Sequence, residues 1–149
     1  TGSRHDPAGP PRRDRMILGV DPGTRRVGVA VADLETRFAT PLEVIDVATT
    51  DPVARLCELA EELGADMIVV GRPLGLSGTA GPSAGTQREF TDQLRAATTV
   101  PVVEFDERLT SVVAERAMRA GGASAATRKK MRDAIAAQVM LQGYLDATV

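Results

Sequence analysis

Histidine and cysteine are nearly missing from this chain of 149 residues, which has one of each, His5 and Cys57, and no tryptophan. With no histidine beyond the amino-terminal tail, a Ser-His-Asp or Cys-His hydrolase is excluded, and so is a zinc site built from several His or Cys ligands. One cysteine cannot close an internal disulfide, so the chain is no disulfide scaffold and a reducing, cytoplasmic location fits. No apolar run approaches the roughly 20 residues of a bilayer span, and the amino end lacks the apolar segment of a secretory signal. Charge of either sign is also scarce in excess, because 18 basic residues face 20 acidic ones for a net −2. The first fifteen residues hold Arg4, Arg12, Arg13 and Arg15 against Asp6 and Asp14, a local +2 that leaves −4 on the rest. A polycation that coats nucleic acid is excluded, although local basic patches are not. Any chemistry must therefore come from carboxylates, hydroxyls, lysines, the backbone or a bound metal.

The length suits one domain. Residues 1–15 carry Pro7, Pro10, Pro11 and two glycines with no large apolar side chain, and read as a disordered tail before a domain over 16–149. In that domain Met16-Ile17-Leu18-Gly19-Val20 is a buried strand stopped at Asp21-Pro22-Gly23. Val27, Val29 and Val31 alternate with Gly28, Ala30 and Ala32, a strand with one face kept small. Phe38–Val47 is a third β segment, in which Pro41 marks an edge position or a bulge. Short links make these three an antiparallel meander.

The pattern then turns helical. After Asp51-Pro52, the residues Val53, Leu56, Cys57, Ala60 and Leu63 form one face closed by Gly64, with Cys57 packing into the core or, alternatively, pairing with another chain. Met67–Val70 reads as a strand covered on both faces, residues 71–86 as a long glycine-rich flexible loop, and a weaker helix follows with Phe90, Leu94 and Ala97 facing inward. Val100–Phe105 is the fifth strand, Leu109–Ala120 a short helix, and Thr127–Leu145 a long alanine-rich helix. The sum predicts an α/β fold, a mixed five-stranded sheet with its first three strands antiparallel and helices on both faces.

Acids stand out by where they fall. Asp21 follows the first strand, and Asp106 and Glu107 follow the fifth; ligand sites of parallel α/β sheets collect at such carboxyl ends. Asp133 heads a helical stripe with Ala136, Ala137, Met140 and Tyr144, a costly place for a charge unless it is paired or binds metal. Each has a plainer use: a turn at Asp21, pairing of Asp106 or Glu107 with Arg108, and pairing of Asp133 with Lys129 or Lys130 one turn earlier. Converging without histidine, they describe a hard-cation site of the kind Mg²⁺ prefers.

These residues carry a resemblance. Gly19-Val20-Asp21-Pro22-Gly23-Thr24 with Val27-Gly28-Val29-Ala30 is similar to the G-x-D-x-G-T…G-V-A opening of the YqgF/RuvX family, a bacterial branch of the RNase H-like nucleases. Val70-Gly71-Arg72-Pro73-Leu74 resembles that family's V-G-x-P-L, and Asp106-Glu107-Arg108-Leu109-Thr110-Ser111 its D-E-R-L-[ST]-[ST]. Lys129, Asp133 and Ala136-Ala137, followed by Leu141-Gln142-Gly143-Tyr144-Leu145, resemble its closing helix. The likeness implies an RNase H-like fold with catalytic, metal-holding acids at Asp21, Glu107 and Asp133, Asp106 being the neighbouring candidate. Glu107 is favoured over Asp106 because its longer side chain reaches further inward. It also implies phosphodiester cleavage with Mg²⁺ or Mn²⁺, on a Holliday junction or at the 5′ end of the 16S rRNA precursor.

Phosphates need cations, and Arg25, Arg72, Arg108, Lys129 and Lys130 fall near the acids as substrate-binding candidates. With few aromatics, most of which read as buried, the expected partner is structured RNA or branched DNA recognised by shape and backbone. Symmetric cutting of a four-way junction calls for a homodimer, whereas trimming an RNA end needs one site. Two other readings stand beside the nuclease: a non-catalytic nucleic-acid-binding module in ribosome assembly, and a relative of the actin-like ATPases, whose phosphate turn also uses Asp-x-Gly-Thr.

Overall fold

Strand β1 (Met16–Asp21) is apolar at nearly every position because both of its faces are covered: Ile17, Leu18 and Val20 are all fully buried. A computed structural model of the chain describes residues 15–72, 82–106 and 125–148. Around β1 the elements are β2 (Arg26–Asp33), β3 (Phe38–Asp46), α1 (Pro52–Leu63), β4 (Ala65–Arg72), α2 (Pro82–Ala97), β5 (Val102–Asp106) and α3 (Ala125–Ala147). The sheet order is β3-β2-β1-β4-β5, antiparallel from β3 to β1 and parallel from β1 through β4 to β5. This is the expected mixed five-stranded arrangement.

Alternation along the strands divides the core in two. Leu18, Val20, Val27, Val29, Ile68 and Val70 pack with Leu56, Leu59 and Ala60 of α1 and Leu94 of α2. On the other face Ile17, Ala30, Ala32 and Val69 pack with Ala137, Met140, Leu141 and Leu145 of α3. The small face of β2 is thus the one that receives α3. Close approach is the reason: a Cβ on Gly28 would lie 1.9 Å from the Asp133 carbonyl oxygen, and one on Gly19 2.8 Å from Leu141 Cβ.

The local signals for α1 hold. Asp51 caps its start by accepting the Val53 N–H, Pro52 opens it, and Gly64 closes it at φ 64°, the left-handed region that favours glycine. Pro41 meets both of its expected roles. It lies on the edge strand, and Ala30 faces Pro41 while Val29 faces Glu43, so Leu42 is the extra residue of a bulge.

Other boundaries differ. The loop expected over 71–86 is shorter, because Gly71 and Arg72 continue β4 by pairing with Phe105 and Asp106, and α2 begins at Pro82; residues 73–81 lie outside the described residues. Ladder pairing there outweighs glycine's preference for turns. β5 starts at Val102 because Pro101 has no N–H for the ladder, although its carbonyl accepts from the Ile68 N–H at 2.9 Å. Ala97, expected to face inward, is exposed at the last position of α2, and Thr91 is buried beside Leu94 instead. Phe38 is 72% exposed on the edge strand, whereas Phe90, Phe105 and Tyr144 are half-buried. The helix expected over Leu109–Ala120 and the tail up to residue 14 lie outside the described residues.

The carboxyl half of α3 is tied to the β2–β3 hairpin. Gln142 accepts the Ala39 N–H at 3.0 Å and donates to the Arg37 carbonyl at 2.9 Å, while Gln138 donates to the Ala39 carbonyl at 3.0 Å. Arg37, at φ 62°, donates in return to the Leu145 carbonyl. Among the described residues no helix is long and apolar enough to cross a membrane.

Two outcomes follow from this packing. Gly28→Ala forces α3 off the sheet and is expected to cost on the order of 3 kcal/mol in urea denaturation, more than Gly19→Ala, where a side chain rather than backbone gives way. Burial, reinforced by Glu61 and Asp51, pushes the Cys57 thiol up from its ordinary range. Its thiolate is scarce near pH 8, so alkylation by iodoacetamide, followed by mass spectrometry, is expected to lag a small free thiol and to accelerate only at higher pH.

Candidate active site

Because β1, β4 and β5 run parallel, their carboxyl ends open on one edge of the sheet, where they finish at Asp21, Arg72 and Asp106. β2 runs the other way and begins on that same edge at Arg26. α3 descends from this edge, since Asp133 meets Gly28 and Leu141, eight residues later, meets Gly19.

Two patterns place Asp21. Ile17 and Gly19 face α3, and Asp21 is the next residue in that phase. Its register partner across the β1–β2 pair is Gly28, the residue on which the Asp133 backbone rests. Directly opposed strand residues stand roughly 4.5–5.5 Å apart at Cα. Asp21 and Asp133, 112 positions apart in the chain, therefore stand at the same end of the same face, on either side of one glycine. Asp21 is half-buried, and the Asp133 side chain is 32% exposed.

Asp133 has a partner that helical spacing could not show. Arg26 Nε donates to Asp133 Oδ2 at 2.8 Å, across 107 residues of sequence. The pairing with Lys129 or Lys130 expected one turn earlier involves side chains that lie outside the described residues. The sequence places Arg26 with Arg25 among the cations just beyond Asp21, while helical spacing offers Asp133 only the lysines; the position of Arg26 two residues before Gly28 is the signal for the pair. Beside the pair, Thr24, Arg25, Arg26, Asp46, Val47 and Ala48 line an open cleft of about 460 Å³. The Asp46 carboxylate in that cleft already accepts the Ala48 N–H at 3.0 Å, and the Val47 N–H donates to the Arg25 carbonyl at 3.0 Å.

Of the other expected site residues, Arg25 is exposed in the β1–β2 turn. Arg72 and Asp106 take their places on the edge as adjacent partners at the ends of β4 and β5, and Lys129 and Lys130 fall in the first turns of α3. Glu107 and Arg108 lie outside the described residues. Among the described residues no group of three His, Cys, Asp or Glu is placed to hold a metal. The two acids that do converge offer hard carboxylate oxygens, the donor type that suits Mg²⁺ or Mn²⁺, and a cationic guanidinium already sits on one of them.

Over residues 15–147 the sequence matches the RuvX family, described as Holliday junction resolvase. The chain belongs to the RuvX family. Its relatives named "Putative pre-16S rRNA nuclease" include a protein of Chloroflexus aggregans, 44% identical over 135 residues that span 90% of this chain and 95% of that one. Another, from Anaeromyxobacter dehalogenans, is 45% identical over 130 residues, or 87% of this chain and 95% of that one. A third, from Geobacillus kaustophilus, is 42% identical across 87% and 96%. Among solved structures, the fold is shared with T. thermophilus RuvC in complex with a Holliday junction substrate, at a TM-score of 0.53 and 18% identity, covering 89% of this RuvX chain and 94% of that one. The RNase H-like α/β fold expected from the sequence is thus the fold observed.

The Arg26–Asp133 pair of this RuvX protein is half open to water, and such pairs contribute little to stability. Asp133→Asn is expected to change the unfolding free energy by less than about 1 kcal/mol in urea titration. The fold does not need this carboxylate.

Proposed function

We propose that this RuvX protein is a metal-dependent endonuclease that hydrolyses phosphodiester bonds in structured nucleic acid, through an acid cluster of Asp21, Glu107 and Asp133 with Asp106 beside it. The observation that carries the reading is the placement of Asp21 and Asp133 on either side of Gly28, at the carboxyl edge of the sheet. Glu107, which lies outside the described residues, is favoured over Asp106 as the third acid because its longer side chain reaches further inward. Bound Mg²⁺ or Mn²⁺ would supply activation of the attacking water and stabilisation of the leaving oxygen.

The chain's own residues do the rest. Asp21 and Asp133 contribute anionic oxygens from a rigid strand and a rigid helix, so their positions are set before substrate arrives. Arg25, Arg72, Arg108, Lys129 and Lys130 hold the phosphate backbone around the edge, where local cations act despite the net negative charge of the chain. Residues 16–149 form the nuclease unit and residues 1–15 lie outside it; the protein acts in the cytoplasm. The names of its relatives and the description of its family point to two substrates, pre-16S rRNA and the Holliday junction. The junction would need two copies related by a two-fold axis.

The test is cleavage of a four-way DNA junction and a 16S rRNA precursor fragment, in Mg²⁺ and in Mn²⁺. Asp21→Asn is expected to lower the cleavage rate at least a hundredfold on whichever substrate wild type cuts, with fold and binding kept. Binding without cleavage in both metals, unchanged in Asp21→Asn, overturns the reading in favour of a non-catalytic binding module.

A further inference from the structure

Arg26 belongs both to the acid pair and to the cleft. Its Nε is given to Asp133 at 2.8 Å, and the same residue lines the cleft with Thr24 and Arg25. A guanidinium carries five N–H donors, and the bond to Asp133 uses one. With side chains 62% and 32% exposed, the pair is held loosely enough for a dication to displace the guanidinium from the carboxylate.

We propose that Arg26 exchanges partners. While the acids hold no cation it neutralises Asp133; when a divalent ion takes Asp133, the guanidinium turns into the cleft and, beside Arg25, grips a phosphodiester of the nucleic-acid backbone. The cleft is thereby a phosphate subsite whose strength depends on the metal. A guanidinium and a dication repel each other on one carboxylate, and the displaced Arg26 stays beside the exposed Arg25 and the Thr24 hydroxyl. Asp46, the register partner of Arg26, is the competing acceptor: its Oδ1 takes the Ala48 N–H but a carboxylate can accept further donors, so the salt dependence below decides between Asp46 and phosphate. The inference rests on the reading of Asp133 as a cation ligand.

Calorimetric titration of the nucleic-acid-free protein with Mn²⁺ separates the possibilities. Arg26→Gln is expected to bind Mn²⁺ about three- to fivefold more tightly than wild type, because a competing cation has gone, with Arg26→Lys in between. Weaker binding in Arg26→Gln would mean that Arg26 orients the carboxylate, and would overturn the exchange. Mn²⁺ binding that is indifferent to Asp133→Asn overturns both the exchange and the ligand reading. Binding that needs Asp133 but does not tighten in Arg26→Gln overturns the exchange alone.

The second readout is the salt dependence of binding to a four-way DNA junction, with EDTA and with Ca²⁺, whose loose coordination holds carboxylates without the tight octahedron of Mg²⁺. Arg25→Gln is expected to lower the slope of log Kd against log salt by about one in both buffers, and Arg26→Gln to do so only in Ca²⁺. A slope insensitive to Arg26→Gln in Ca²⁺ means that the freed guanidinium goes to Asp46 or stays put, and refutes the subsite. Inorganic phosphate at matched ionic strength is expected to leave junction binding unchanged; competition would assign the cleft to a free anion and overturn the backbone assignment. Arg26 is exposed enough for these variants to fold, which their unfolding midpoints check.

Discussion

The backbone of α3 at Asp133 rests on Gly28 with no side chain between them, and the rest of the site depends on that contact. Only a residue without a Cβ permits it, and the alanines on either side, Ala30 on the strand with Ala134 and Ala137 on the helix, keep the neighbouring layers equally thin. A helix lying this low brings its own acid down to the strand acid, because Gly28 is the register partner of Asp21. Arg26, two residues earlier on the same strand, reaches the Asp133 carboxylate for the same reason. Packing and chemistry are therefore one constraint at this point, and a larger residue at Gly28 would disturb both.

Electrostatically the edge is a balance of opposites in an acidic protein. Asp21 and Asp133 stand at the same end of the sheet where water reaches them, Asp133 is matched by Arg26, and Arg25 is exposed beside it in the β1–β2 turn. Partly exposed charges of this kind add little to folding, so their gathering is better explained by something they hold than by stability. The fold itself is shared with RuvC at only 18% identity, so backbone architecture persists here where most side chains have changed.

Much of this was legible in the sequence because it is local. Asp51, Pro52 and Gly64 announce α1 through capping chemistry, Pro41 announces both an edge and a bulge through its missing N–H, and the glycine and alanines of β2 announce a face reserved for close packing. What was not legible is long-range. Gly71 joins a ladder only because β5 is present to pair with it, and Ala97 is exposed only because α2 has run past its core by then. The pairing of Arg26 with Asp133 spans 107 residues, so no spacing rule along the helix could have preferred it to the nearby lysines. The acids themselves were found by position alone, since strand ends and an interrupted apolar stripe are visible without knowing what faces them.

The hairpin ties of α3 bear on assembly. Gln138 and Gln142 occupy the outward amide and carbonyl of Ala39 and the carbonyl of Arg37, and Pro41, two residues on, offers no amide at all. The first part of the outermost strand is thus already satisfied from within its own molecule and presents no free ladder to a neighbour. Two copies of this protein therefore cannot extend the sheet from subunit to subunit through that first part of β3, and a symmetric pair must meet elsewhere.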